Sequence, residues 1–257
     1  MDTSKAQWPN VGVVILAAGR GTRLNCIDFP KAMLDLNGKP MVSYLVDTVK
    51  QAGFSSEQIC LVIGYHREKV KEYFGDSVLY SVQEEQLGTG HAVATAKDVM
   101  KDVQDIIVLY GDMPFVSADS VKRLVERHHE RKNTVTLMTV TVPHFEGPYA
   151  PFYSFGRIVR RTADGHIEQI VEKKDCSEKE LTVTEVNPSY LCFRSDWLWN
   201  NVNKITNTNA QQEYYLVDLV RMAIESGEKI SSIDITPEEA IGVNTAEDLS
   251  LAKGLFH

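Results

Sequence analysis

The chain is poor in cysteine, in positive charge and in long apolar runs, and each shortage removes a class of function. Its four cysteines are Cys26, Cys60, Cys176 and Cys192, and none lies within four residues of another. Zinc-ligand spacing and CxxC redox chemistry are therefore absent, and Cys60 and Cys192, inside apolar runs, read as small buried hydrophobes. Lys and Arg total 27 against 35 Asp and Glu, a formal net charge of −8. An acidic chain does not suit the backbone of nucleic acid or an anionic membrane surface, so no nucleic-acid or membrane partner is expected. A small anionic substrate stays open, because a few Lys and Arg can dominate one cleft. No apolar stretch approaches the roughly 18–20 residues of a membrane span and no secretory signal pattern opens the chain, which gives a cytoplasmic address by default. Repeats, low-complexity tracts and a Pro/Gly/Ser linker are also missing. With 43% apolar and 24% charged residues in 257, disorder and fibrous architectures are excluded.

What remains is an alternation of strands and helices. Residues 1–10, MDTSKAQWPN, are polar and read as a loose arm. Val11–Ala17 is a near-continuous apolar run, the pattern of a strand buried on both faces of a parallel sheet. Further strands are expected at Ile59–Ile63, Val78–Val82 and Ile106–Tyr110, with helices at Met41–Ala52 and Gly90–Met100. In the second half, short β segments fall at Val135–Val142, Arg157–Arg161, Ile167–Val171 and Tyr190–Phe193, with another near Lys229–Ile235. Helices follow at about Tyr214–Ser226 and Thr245–Lys253. The order predicts an α/β fold, a Rossmann-like mixed, mostly parallel sheet flanked by helices. One domain is expected over 11–257, with a nucleotide-facing part at about 11–134 and a substrate-facing part at about 135–257.

The loop after the first strand carries the chemistry. Gly19-x-Gly21 invites a dinucleotide fingerprint, but Leu24 stands where the third glycine belongs, which disfavours a dehydrogenase. A Walker A loop fails for want of Gly-Lys-Ser/Thr. Exposed backbone N–H groups of a glycine loop cradle phosphates, and Arg23 and Lys31 add positive charge for the same anions. From spacing alone, an ordinary strand-to-helix turn with two surface cations accounts for the loop equally well. Asp112 follows the apolar strand Ile106–Tyr110 at the carboxyl edge, where open α/β sheets bind ligands. A carboxylate there suits a divalent ion bridging phosphates, or a turn cap before Pro114. Asn244 alone reads as a helix N-cap.

Leu16-Ala-Ala-Gly-Arg-Gly-Thr-Arg-Leu24 with Pro30-Lys31 resembles the signature of the sugar-phosphate nucleotidyltransferases. Four further stretches narrow the resemblance to the uridylyltransferase half of the bacterial bifunctional N-acetylglucosamine-1-phosphate enzymes: Glu85-Gln-Leu-Gly-Thr-Gly-His-Ala92, Tyr110-Gly-Asp-Met-Pro114, Asn207-Thr-Asn-Ala-Gln-Gln-Glu-Tyr-Tyr-Leu216 and Gly242-Val-Asn244. It covers about Val11 to Leu251. The resemblance implies the nucleotide-diphospho-sugar transferase fold and attack of a sugar 1-phosphate on the α-phosphate of UTP, forming UDP-N-acetylglucosamine. It implies Mg²⁺ held by Asp112 and Asn244, with Arg23 and Lys31 as the catalytic cations. Leu16, Ala17, Ala18 and Gly19, with Gln83, Gly88 and Thr89, would hold the nucleotide. Tyr110, Gly156, Glu172, Lys174 and Asn187 would hold the sugar, although Glu172-Lys-Lys-Asp175 alone reads as a solvated turn.

Two departures accompany it. The family's Asn-Thr-Gly is Asn187-Pro188-Ser189 here, and its Gly-Tyr-Gly-Arg-Ile becomes Tyr153-Ser154-Phe155-Gly156-Arg157-Ile158, which changes backbone freedom beside the sugar. The family's bifunctional members continue into an acetyltransferase β-helix of hexapeptide repeats, and no such repeat precedes His257. The expectation is a stand-alone uridylyltransferase, with a homo-oligomer or a separate acetyltransferase chain as its protein partner. The alternatives are a sibling enzyme acting on a different sugar phosphate or nucleotide, and a catalytically silent sugar-nucleotide sensor.

Overall fold

The computed structural model describes residues 7–21, 24, 28–209 and 211–255. Strand β1 (Val11–Leu16) leads through the glycine loop to the short strands β2 (Asp35–Leu36) and β3 (Lys39–Pro40) and helix α1 (Met41–Gln51). Next come β4 (Ile59–Ile63), α2 (Arg67–Phe74), β5 (Leu79–Val82), α3 (Thr89–Thr95), β6 (Asp105–Tyr110) and α4 (Ala118–Arg131). The second half holds β7 (Val135–Thr141), β8 (Gly156–Arg160), β9 (Ile167–Val171), α5 (Glu178–Leu181), β10 (Glu185–Asn187), β11 (Leu191–Arg194) and α6 (Ser195–Asn201). Helix α7 (Val217–Glu225), strand β12 (Ile230–Ile235) and helix α8 (Ala246–Leu255) follow.

One sheet of ten strands runs through both halves. β5, β4, β1 and β6 are parallel neighbours, and β11 lies antiparallel between β6 and β7. β12 runs parallel along β7 from Ile230↔Val135 to Ile235↔Val140. A strand has only two edges, so β10 and β11 must share the other edge of β7, at Val186↔Val140 and Leu191↔Leu137. Residues 188–190, which separate them, interrupt that line of pairing. There the sheet forks: β11 keeps β6, and β10 takes up the β8–β9 hairpin.

Alternation along β1 decides the layering. Val11, Val13 and Ile15 pack into one core with Val42, Leu45, Val46 and Val49 of α1 and Val121, Leu124 and Val125 of α4. Val14 faces the other core, shared with α3, α6 and α7. A strand covered on both sides needs a continuous apolar run, which is what the sequence shows. α1 stops before Gly53, whose φ of +97° is costly for any residue with a Cβ. Cys60 and Cys192 are buried; burial pushes the Cys60 thiol up to about 12, as befits an inert core thiol.

Several expectations need correction. Residues 7–10 are not loose: Trp8 donates from Nε1 to Ala52 O at 2.9 Å, and Gln58 Nε2 donates to Trp8 O. The helix expected over Gly90–Met100 is α3 only, after which bonds such as Lys97 N to Ala94 O tighten the chain into turns. The helix expected from Tyr214 begins at Val217, because the Tyr214 backbone is bonded elsewhere. Helix α4 escaped the sequence reading because its few apolar positions sit among charged ones.

At the amino-terminal edge of the sheet, Asp105 accepts from His128 Nε2 at 3.2 Å and His129 Nε2 at 2.9 Å, and His128 Nδ1 meets Thr136 Oγ1 at 2.9 Å. Burial pushes the Asp105 carboxyl up, but the two histidine contacts outweigh it and leave it below the ordinary range. A lowered folded-state value contributes stability above the ordinary carboxylate pKa, lost as pH falls through the lowered one. Asp105→Asn should therefore lower Tm at pH 7, by roughly 1–3 kcal/mol of stability. The gap to wild type should close below about pH 4. Melts across pH check this, and a pH-independent gap would contradict it.

Candidate active site

Four strands deliver the site from their carboxyl ends. Leu16 pairs with Tyr110 and with Val62, and Ile63 pairs with Val82, so the segments after β1, β4, β5 and β6 emerge side by side. A cavity of about 210 Å³ lies there, lined by all seven residues expected to hold the nucleotide, Leu16, Ala17, Ala18, Gly19, Gln83, Gly88 and Thr89. Lys31 and Asp112 line it too. Arg23 lies outside the described residues.

At the edge of this cavity Lys31 holds both residues expected to bind metal. Its Nζ donates to Asp112 Oδ2 at 2.5 Å and to Asn244 Oδ1 at 2.8 Å. The Lys31 side chain is 13% exposed and that of Asp112 27%, so the pair is partly screened but not solvent-bathed. Asn244 reaches this point because Val243 N donates to Asp112 O at 2.8 Å, and Tyr190 Oη bonds Met113 O and Glu239 O. Asn244 is not the N-cap that the sequence alone allowed. Thr245 takes that work, accepting from Asp248 N at 3.1 Å while Asp248 accepts from the N–H groups of Asn244 and Thr245. The Asn244 amide is thereby freed for the cation position.

Two motifs distant in sequence form one wall. Tyr214 N donates to Leu87 O at 2.8 Å and Gly90 N to Tyr214 O at 2.7 Å. Gly88 sits at φ +109°, and a Cβ there would stand 2.7 Å from the Tyr214 backbone. The glycine makes room for the second motif while also lining the cavity. Thr89 Oγ1 accepts from Leu216 N at 2.9 Å, a further bond between the two motifs. Gln83 Nε2 donates to Gly88 O at 3.0 Å and lies 3.1 Å from His91 Nδ1, giving His91 a role the sequence had left blank. Gln86 was also missed; it donates to Ala18 O at 2.6 Å and pins the glycine loop.

A second cavity, of about 750 Å³, shares Tyr110 and Asp112 with the first and is lined by Gly156, Glu172 and Asn187. Gly156 faces Asn187 across β8 and β10, where the sheet forks. Lys174 stands apart, against Gln211 at 3.3 Å in an adjoining cavity of about 390 Å³. Ser189 holds φ +67°, a left-handed conformation costing a non-glycine residue roughly 1–2 kcal/mol. Its N–H donates to Asn187 Oδ1 at 2.9 Å, which fixes the bend. Burial pushes the Tyr110 hydroxyl well above its ordinary value, and the Thr89 and Ser189 side chains offset part of that.

A family model described as a MobA-like NTP transferase domain matches residues 13–185. The chain belongs to this NTP transferase family. Among curated relatives, this NTP transferase is 41% identical over 242 residues to the bifunctional protein GlmU of Clostridium botulinum (strain Loch Maree / Type A3), covering 93% of this chain and 50% of the relative. It is 39% identical over 245 residues to that of Clostridium novyi (strain NT), covering 95% and 51%. The chain thus spans about half the length of the curated relatives it matches. Among solved structures, a putative glucose-1-phosphate thymidylyltransferase from Bacillus anthracis, in complex with a sucrose, superposes with TM-score 0.74 at 20% identity, covering 95% of this chain and 94% of that one. A UDP-glucose pyrophosphorylase complexed with UDP-glucose gives 0.72 at 16%, covering 95% and 97%. The fold is that of the nucleotide-diphospho-sugar transferases, and the protein is an enzyme of the nucleotidyltransferase type. No helix among the described residues is long and apolar enough to cross a membrane.

Burial pushes the Glu172 carboxyl above its ordinary value, only partly countered by Lys174. A raised folded-state pKa means that the ionised form costs stability at neutral pH. Glu172→Gln should raise Tm at pH 7 and weaken the acceptor, seen as a KM at least tenfold higher. A variant that melts lower, or leaves KM unchanged, would contradict a site built at the expense of stability.

Proposed function

We propose that this chain transfers UMP from UTP to N-acetylglucosamine 1-phosphate, forming UDP-N-acetylglucosamine and pyrophosphate. The observation that carries the reading is the meeting of the two cavities at Tyr110 and Asp112, with one cation-binding focus at their junction. A nucleoside triphosphate on one side and a sugar phosphate on the other would bring their reacting phosphates to that focus. The curated relatives, and the names of the two structural neighbours, support a sugar 1-phosphate as the acceptor class.

The base fits this assignment. Gln83 Nε2 is committed to Gly88 O and His91 Nδ1, so the amide offers its carbonyl oxygen to a ligand. An acceptor there suits the N3–H of uracil and disfavours cytosine, whose N3 is itself an acceptor. The sugar phosphate is already a competent nucleophile and needs no general base. The enzyme's task is to align two polyanions and to neutralise charge building on the α-phosphate. Lys31 serves that task at the junction, and Arg23, outside the described residues, is assigned to the same task from its place in the sequence motif alone.

Among the described residues no group of three or more His, Cys, Asp or Glu is arranged to hold a metal ion. Asp112 and Asn244 still fit Mg²⁺: both present hard oxygen donors converging on one cation, and Mg²⁺ commonly takes one or two protein oxygens and completes its shell with phosphate and water. When bound, Mg²⁺ would polarise the phosphate oxygens of the nucleotide.

Pyrophosphate release tests the proposal. With UTP, Mg²⁺ and N-acetylglucosamine 1-phosphate, release should be robust, slow with CTP, and reduced about 10²–10³-fold by Asp112→Ala, the scale of a lost charge-stabilising contact. Binding of UTP with no release from any sugar phosphate would overturn it in favour of a silent sensor.

A further inference from the structure

Part of the acceptor side is walled by aromatic rings and prolines. The cavities of about 750 and about 390 Å³ meet at Tyr110, Ser154, Glu172 and Ser189. Those groups, with Asn187 beside them, supply the polar contacts for a sugar ring. The smaller cavity continues along Lys174, Gln211 and Tyr215. The larger one continues along Pro148, Tyr149, Pro151, Phe152, Phe155 and Pro188. A hydroxyl turned toward such a wall would lose its water partners without replacement, whereas an apolar group would gain from burial.

The wall is built, not incidental. Arg157, fully buried, lies 4.5 Å from the Phe145 ring centre and 5.2 Å from that of Tyr153. Its guanidinium donates to the carbonyls of Tyr153 and Phe155. A buried cation with no acidic partner is costly, and here it anchors the segment that carries Phe152 and Phe155. Phe152 is only 2% exposed. On the opposite side Pro188 follows Asn187, whose Oδ1 is occupied by Ser189 N at 2.9 Å and whose Nδ2 is only 3.4 Å from Ser189 Oγ. Nδ2 therefore retains donor capacity at the boundary between the polar junction and the apolar wall, where it suits an amide carbonyl.

We infer that the acceptor pocket takes N-acetylglucosamine 1-phosphate but favours an amino-sugar 1-phosphate whose N-acyl group is bulkier than acetyl. The ring lies at the Tyr110–Glu172–Ser189 junction, the amide carbonyl on Asn187 Nδ2, and the acyl chain against Tyr149, Phe155 and Pro188, with Phe152 packed behind them. This inference rests on the sugar 1-phosphate reading above and leaves its chemistry unchanged.

The test is pyrophosphate release by the full chain with N-acetyl-, N-butanoyl- and N-hexanoylglucosamine 1-phosphates. Each methylene buried against the wall should raise kcat/KM about fourfold, the equivalent of ~0.8 kcal/mol per CH₂, so butanoyl should exceed acetyl by more than tenfold. Tyr149→Ser should flatten that rise. Pro188→Thr, on the opposite wall, should flatten it too and keeps the test in force if the first variant fails to fold. A flat or falling series with normal acetyl turnover overturns this inference and leaves the proposed function standing. No release from any acceptor overturns the proposed function and this inference with it.

Discussion

The site depends on one ammonium group. Lys31, 81 residues from Asp112 and 213 from Asn244, touches both. It thereby joins the glycine loop after β1, the end of β6 and the segment before α8. The sheet places the first two side by side through the Leu16↔Tyr110 register. The third is delivered by backbone bonds from Val243 to Asp112 and by the Tyr190 hydroxyl beneath. Two oxygen donors that converge on a cation before any substrate enters form a focus for polyphosphate chemistry, where opposing anions must be brought together.

Around that focus the fold divides labour by strand direction. The parallel half, β5-β4-β1-β6, gathers its loops around the first cavity at its carboxyl edge, the position where open α/β sheets bind ligands. Beyond β6 the sheet turns mixed and forks between β10 and β11, and the second cavity lies beside that fork, where Gly156 of β8 pairs with Asn187 of β10. A left-handed serine and a buried arginine sit at this fork. Both are unfavourable in isolation, and both lie where a substrate pocket must keep a fixed shape.

Much of the parallel half was legible in the sequence because a doubly covered strand leaves an unmistakable apolar run, as in Val11–Ala17. The helix α1 was equally plain from Val42, Leu45, Val46 and Val49. Helix α4 was not, since its apolar stripe is thin against its charges. Within the site, the resemblance drew Asp112 and Asn244 together, while the residues alone allowed Asn244 only a cap. That Thr245 performs the capping depends on a reciprocal bond with Asp248, which spacing does not distinguish. The structural contacts of Gly88, Thr89 and His91 were not legible for one reason. Their partners are Tyr214, Leu216 and Gln83, and contacts made by main chain or by an oriented amide leave no pattern in side-chain composition. Of the aromatic and proline wall only Phe155 and Pro188 were visible, as departures from the family pattern, with no hint of which cavity they would line.

If one cation position is shared by lysine and metal, direct metal binding tests it most simply. Mn²⁺ can be titrated by electron paramagnetic resonance into the nucleotide-free wild type, Lys31→Met and Asp112→Ala proteins. The account predicts tighter Mn²⁺ binding by Lys31→Met than by wild type, because the competing ammonium is gone, and none by Asp112→Ala. Binding that Lys31→Met leaves unchanged or weakens, or that survives Asp112→Ala, would contradict it.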